Sequence, residues 1–479
     1  MTAERQVYLL DPQDYAPETI AVAFAKTSRS PETFRQIASE LNSEKSAEFH
    51  ERWVVGYGHS SVAEHAVLHL AVENVSRLAV ECLESNRLAS YTEKSTRYQK
   101  WGLADFHVPQ ELADHPLRPL YLDTLRVLFE TYQQSLEPVR AAVSARMPRR
   151  PDESEAAYER RLRSDYVDVC RFLLPAASLA NVGMTVNARA LEHALRKMLS
   201  HPLAEVRQIG EEMKQVAQAR LPTLIKYVGK VEYMEETARR LEEDARAAAP
   251  EAEAEGDWCA LSGCGPEGDE RVLAAALYRY GGFNFARAQA LVRAAGPAGR
   301  ERLAEDLLGA RGRHDIPLRE LEYAAFTIDL VLDQGGYFEL KRHRMMTQTA
   351  QPLTTALGYS LPRRMVEAGM EAPYRAAMDA AHHAYTRLAR ELPAAAAYVV
   401  PNGYNRRVLL ETNLRSAMHL VSLRSAPNAH FSMRRAAQRI AAEIRAASPV
   451  LGRYLETYPD ETWQQVEADH FAATAILPA

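Results

Sequence analysis

The feature that most constrains this chain is that its pattern is written twice. His59-Ser60-Ser61-Val62 precedes an alternating run, Leu68, Leu70 and Val72, and then Val75, Leu78, Ala79, Cys82 and Leu83 fall at helical spacing before an arginine-bearing loop opens at Arg87. His314-Asp315-Ile316-Pro317, then Phe326, Ile328 and Leu330, then Lys341-Arg342-His343-Arg344 repeat that order. Arg344 follows Arg87 by 257 residues, whereas Pro401, Asn413 and His419 each follow Pro175, Asn187 and His193 by 226. An insertion of about thirty residues in the first half gives that drop, and the charged tract Met147–Arg163 lies in the required interval.

A chain of 479 residues exceeds one ordinary core. The repeat divides it into a first copy over 1–234, carrying the 147–163 insertion as a solvated excursion, and a second copy over 271–479. An acidic, alanine-rich linker over 235–270, partly helical and then loose, joins them. Period-two runs mark strands, and Leu120–Val143 and Ala204–Arg220 read as long helices. The expected fold is α+β, two repeats each with a small antiparallel sheet and long helices.

Formal net charge is -5, which argues against bulk nucleic-acid or acidic-membrane binding but leaves room for clustered arginines to grip one anionic small molecule. The amino terminus lacks the basic-then-apolar order of a signal peptide and no apolar run reaches membrane-span length, so a cytoplasmic protein is expected. Cys259 and Cys264 have no second Cys/His pair nearby, and no metal site is expected.

The stretch Arg87 to Arg97 reads as a loop leaving a packed helix, and it offers guanidinium forks, hydroxyls and one carboxylate within a short contour. Guanidinium and hydroxyl donors suit a phosphate dianion, while Glu93 suits a base N–H or a sugar hydroxyl. Arg342-His343-Arg344 could hold a pyrophosphate or an anionic reduced ring. With no Rossmann fingerprint and no Walker loop, a nucleotide would be held by side chains. Singly, each of these segments also reads as an ordinary surface loop or helix end; their recurrence in one order is what gives them weight.

Gly58-His59-Ser60-Ser61-Val62-Ala63-Glu64-His65, followed by Arg87-Leu88-Ala89-Ser90-Tyr91-Thr92-Glu93-Lys94-Ser95-Thr96-Arg97-Tyr98, resembles the flavin-dependent thymidylate synthases. Asn187-Ala188-Arg189 resembles that family's second flavin-contacting segment, and the similarity covers most of both halves. The resemblance implies conversion of dUMP to dTMP, with methylenetetrahydrofolate as carbon donor and FAD reduced by NADPH. No enzyme nucleophile is expected. Because such enzymes are usually homotetramers of a chain about half this length, a homodimer is expected here.

Carried over by position, the resemblance implies that Ser90, Glu93, Ser95, Arg97, Arg171 and Arg342 bind the nucleotide and that Arg424 orients the pyrimidine as the catalytic arginine. It implies flavin contacts at His59, His314, Arg87, His343, Arg344, Asn187, Arg189, Asn413 and Arg415. Neither half is a complete copy. Ser85-Asn86-Arg87 stands where Arg-His-Arg is expected, and the second half continues Met345-Met346-Thr347-Gln348, without the Glu or the Ser-x-Arg. Ala397 stands opposite Arg171, and Met198 opposite Arg424 unless Arg196 substitutes. Either the halves divide the labour, or the scaffold has diverged to another nucleotide or lost synthase activity; a purely structural protein is a third reading.

Overall fold

Leu68, Leu70 and Val72 turn one face of a strand inward, and the strand β1 runs Val67–Ser76. With β2 (Ala89–Glu93) and β3 (Leu179–Asn187) it forms an antiparallel sheet in the order β1-β3-β2. The second copy builds the same pattern from β5 (Ala325–Asp333), β6 (Thr347–Ala350) and β8 (Asn405–Asn413), with β4 (Cys259–Cys264) added outside β5. A further pair joins β7 (Tyr359–Pro362) to β9 (Phe471–Ile476). This computed structural model describes residues 5–28, 30–97, 99–248, 256–264, 267–312, 314–458 and 461–479.

The repeat is legible in the strand registers. Val67 pairs with Asn187 and Ala325 with Asn413, while Ser90 pairs with Thr185 and Thr347 with Glu411. Along β1 the register shifts between Val72 and Val75, where Asn74 adopts φ 56° and its N–H donates to Asn181 Oδ1 at 2.9 Å. β5 has no such shift. One extra residue in β1 therefore converts a spacing of 258 between Val67 and Ala325 into 257 between Ser76 and Asp333. Both of these residues then cap a helix: Ser76 accepts from Ala79 N–H at 2.9 Å and Asp333 from Gly336 N–H at 2.8 Å. At the far ends, Asn187 and Asn413 cap the helices Ala188–Leu199 and Leu414–Arg424, each accepting an N–H three residues on at 2.9 Å.

The chain separates into two compact units that do not follow the halves of the sequence. One comprises residues 1–95, 105–118 and 177–251; the other 96–104, 119–176 and 252–479. The first-half helices Arg118–Arg146, apart from its first residue, and Glu155–Cys170 thus belong to the larger unit. Amphipathic spacing shows that a helix buries a face; it does not say against which sheet.

One expectation is corrected, and two further stretches gain detail. Arg87–Arg97 is not simply a loop, because Ala89–Glu93 pairs with β3. The 147–163 tract is not wholly an excursion: Ser154 accepts from Ala157 N–H at 3.2 Å and starts a helix running to Cys170. In the 235–270 stretch, expected to be partly helical and then loose, the helix Glu232–Ala248 buries no residue and β4 begins at the fully buried Cys259; residues 249–255 and 265–266 lie outside the described residues. Among the described residues no helix is long and apolar enough to cross a membrane.

Replacing Asn187 by Ala should cost about 1 kcal/mol of stability, and replacing it by Asp almost nothing, because only the first loses the cap. Thermal midpoints of the two variants check this.

Candidate functional site

In the larger unit, the helix Glu155–Cys170 ends two residues after Asp168, and Arg171 opens the short turn that follows. Spacing of three residues puts Asp168 and Arg171 on one face, with Arg171 Nε 3.2 Å from Asp168 Oδ1. Arg97 closes on the same carboxylate with two bonds, Nε to Oδ1 at 2.8 Å and Nη2 to Oδ2 at 2.6 Å. Its Nη1 donates to the Asn428 carbonyl at 2.7 Å.

A second carboxylate completes the group. Glu339 lies in the last turn of the Gln334–Leu340 helix, which packs closely enough that a Cβ on Gly336 would stand 3.1 Å from the Ser432 Cβ. Glu339 faces Arg97 Nη2 at 3.4 Å, Arg171 Nη2 at 3.8 Å and Arg424 Nη1 at 3.0 Å. Arg424 is the last residue of its helix, where a cation suits the dipole, and its Nε donates to His343 Nε2 at 2.9 Å. Burial, then the Arg424 and His419 charges, push the His343 imidazole down to about 3, so it is neutral near pH 7 and its Nε2 can accept that bond. Burial lowers the Arg424 pKa, Glu339 opposes that shift, and Arg342 and Arg97 add to it.

Taken together, three guanidinium groups face two carboxylates; Arg342 adds positive charge beside Arg424, the buried Asp165 offsets it beside Arg97, and one surplus positive charge remains. The side chains of Arg171 and Asp168 are each 8% exposed and that of Arg424 15% exposed, so this surplus sits where water screens it poorly. Chemically, the arrangement can attract a small anion and orient it by guanidinium forks.

The smaller unit carries a different feature, a cleft of about 360 Å³ where β1, β2 and β3 meet the helix capped by Asn187. Glu64, Arg87, Ser90, Thr185 and Asn187 contribute its polar lining. Arg189 pairs with Glu64 at 2.5 Å, and the second copy has the same pair, Arg415 with Glu322 at 3.0 Å. The Asn and Arg of each Asn-x-Arg segment, expected to touch flavin, therefore have helix-capping and ion-pairing duties within the protein.

The expected site residues thus fall into groups. Arg97, Arg171, His343 and Arg424 come together, with Arg342 exposed beside them on the chain and felt electrostatically at Arg424. Arg87, Ser90 and Asn187 line the cleft. His59 and His314 are exposed and belong to neither group; Ser95 and Arg344 are half-buried elsewhere. Tyr98 lies outside the described residues. Glu93 is taken by a buried ion pair with Arg77 at 2.5 Å, the side chains 2% and 3% exposed, and so does not present a carboxylate to a ligand in this arrangement. Sequence reasoning missed Asp168 and Glu339. Each stands three residues before an expected arginine, Arg171 and Arg342, a spacing that could have flagged them.

An internally duplicated α+β chain with a buried arginine–carboxylate cluster is the class that fold and geometry define. A family profile described as thymidylate synthase complementing protein matches residues 10–223 and again residues 261–450, and the chain belongs to that family. A UPF0159 protein of Chlamydia muridarum is 34% identical over 440 residues, covering 87% of this chain and 82% of that protein. A flavin-dependent thymidylate synthase of Clostridium tetani is 27% identical over 216 residues, 44% of this chain and 82% of its own. The crystal structure of a UMP/dUMP methylase, PolB, from Streptomyces cacaoi covers 44% of this chain and 88% of its own at 21% identity and a TM-score of 0.33, a score that carries no argument.

Two outcomes follow from this geometry. Glu93→Ala should destabilise the protein by about 3–5 kcal/mol by removing the carboxylate that pairs with the buried Arg77, seen as a lower melting temperature without any ligand present. His343 titrates near 6.5 when unfolded but near 3 when folded, so its contribution is present above about pH 6.5 and is lost as pH falls toward 3. His343→Gln should therefore flatten the decline of melting temperature between pH 7 and pH 5.

Proposed function

We propose that this chain is a flavin-dependent methyltransferase that converts dUMP to dTMP, with methylenetetrahydrofolate as carbon donor and FAD as cofactor. The observation that carries the reading is the convergence of Arg97 and Arg171, from the first half of the sequence, with Arg424 and His343, from the second, around a net positive charge. When bound, FAD reduced by NADPH would supply the reducing equivalents for the methyl transfer. The chain's own residues do the positioning. Arg97, Arg171 and Arg342 attract the nucleotide's phosphate, and Arg424, held in one orientation by His343 and Glu339, aligns the pyrimidine. Asp168 and Glu339 keep the forks in place before the nucleotide arrives.

For the cofactor, the residues present are compatible with part of the group. Arg87, Ser90 and Asn187 offer a cation, a hydroxyl and an amide in the cleft, and about 360 Å³ suits one phosphate-bearing end rather than a whole dinucleotide. Completion by a second copy, as a homodimer, is consistent with that size. The relatives named as flavin-dependent thymidylate synthases support the same chemistry.

A second reading, a homologue acting on a different nucleotide or without synthase activity, is favoured by one observation: Glu93 and Arg97, both expected to hold nucleotide, are engaged by Arg77 and Asp168.

Adding FAD to the purified protein, then dUMP, should perturb the flavin absorbance, and NADPH with methylenetetrahydrofolate should then yield dTMP. Arg342→Ala, at an exposed position, should weaken dUMP binding tenfold or more with an unchanged circular dichroism spectrum. Flavin binding with no response to dUMP would favour the second reading.

A further inference from the structure

The registers give each cluster residue an equivalent in the other copy, and the equivalents are of a different chemical kind. Arg171 opens the turn Arg171–Leu173, and Ala397 opens the matching turn Ala397–Val399, 226 residues on. By the same spacing Asp168 corresponds to Ala394 and Arg424 to Met198, the latter fully buried near the end of its helix. By the spacing of 257 that relates the capping residues Ser76 and Asp333, Glu339 corresponds to Cys82, Arg342 to Ser85, His343 to Asn86 and Arg97 to Thr354. Four arginines and two carboxylates thus answer to residues that carry no charge near pH 7; burial holds the Cys82 thiol at about 11. A cation does stand near two of these equivalents, both in the smaller unit: Lys197 donates to Ser85 Oγ at 2.6 Å and interacts with the Cys82 thiol, with its pKa lowered by burial. One ammonium with three diverging donors cannot reproduce several planar forks.

An uncharged residue at every position of the exchanged set that answers to a charge, on both sides of the internal repeat, is not what scattered surface drift produces. A lone Arg→Ala change would strand a carboxylate partner; here the carboxylate positions are uncharged as well, so no acid of the set is left without its arginine. We propose that each chain holds one anionic-nucleotide site, the cluster in the larger unit, and that the exchanged positions no longer bind a nucleotide. This rests on the reading that the cluster takes dUMP.

The count of sites is the decisive quantity. Equilibrium dialysis of dUMP against the full chain, its concentration set by amino-acid analysis, should give one dUMP per chain. Arg424→Ala should weaken that binding tenfold or more, and Lys197→Ala should leave both stoichiometry and affinity unchanged. Two dUMP per chain, with one lost in Lys197→Ala, would overturn the single-site inference while leaving the proposed function standing. One dUMP per chain that responds to Lys197→Ala and not to Arg424→Ala would also overturn it. No dUMP binding by the unaltered protein would remove the functional reading and the single site with it.

Discussion

The pairing of one central strand to both its neighbours governs this fold. β3 and β8 each lie between two antiparallel partners, and fixed register decides which side chains reach the core and where each helix begins. A slip of one residue would turn the apolar faces outward, whereas the caps at Asn187 and Asn413, each made to an N–H three residues on, would travel with their own segment. The irregularity at Asn74 absorbs its extra residue before Ser76, so the next helix still starts on the matching rung.

Electrostatics forms a second layer on that frame. Arg97, Arg171 and Arg424 would repel one another strongly if brought together bare. Asp168 and Glu339 make the convergence tolerable, and His343 contributes by staying neutral, since a proton on its Nε2 would remove the acceptor that Arg424 uses. Counter-charge thus preserves a modest positive surplus without leaving each fork free to wander.

The sequence makes the duplication, the β1 and β5 alternation and the helix-opening asparagines legible because each depends on local periodicity or a short-range cap. The partner choice is harder to read. Arg77 and Glu93 lie sixteen residues apart, and nothing in their spacing announces a buried pair; likewise the first-half helices read as amphipathic but gave no sign of belonging to the larger unit. The arginines of the cluster stood out through recurrence and resemblance, whereas the carboxylates that hold them were passed over because an acid before an arginine is common on any helix. His59 and His314, prominent in the repeated motif, are exposed instead of joining the cluster or the cleft.

Arg171 and Ala397 occupy the same turn in two copies of one pattern, and their difference bears on how such a chain can evolve. In an assembly of identical subunits, a substitution that improves one location is imposed on every other location at once. Covalent fusion lifts that coupling, because the copies are always delivered one to one yet are encoded separately. Each can then specialise, one retaining ionic chemistry while the other is released to pack, and the pair behaves genetically like two different proteins that can never be mismatched in dosage.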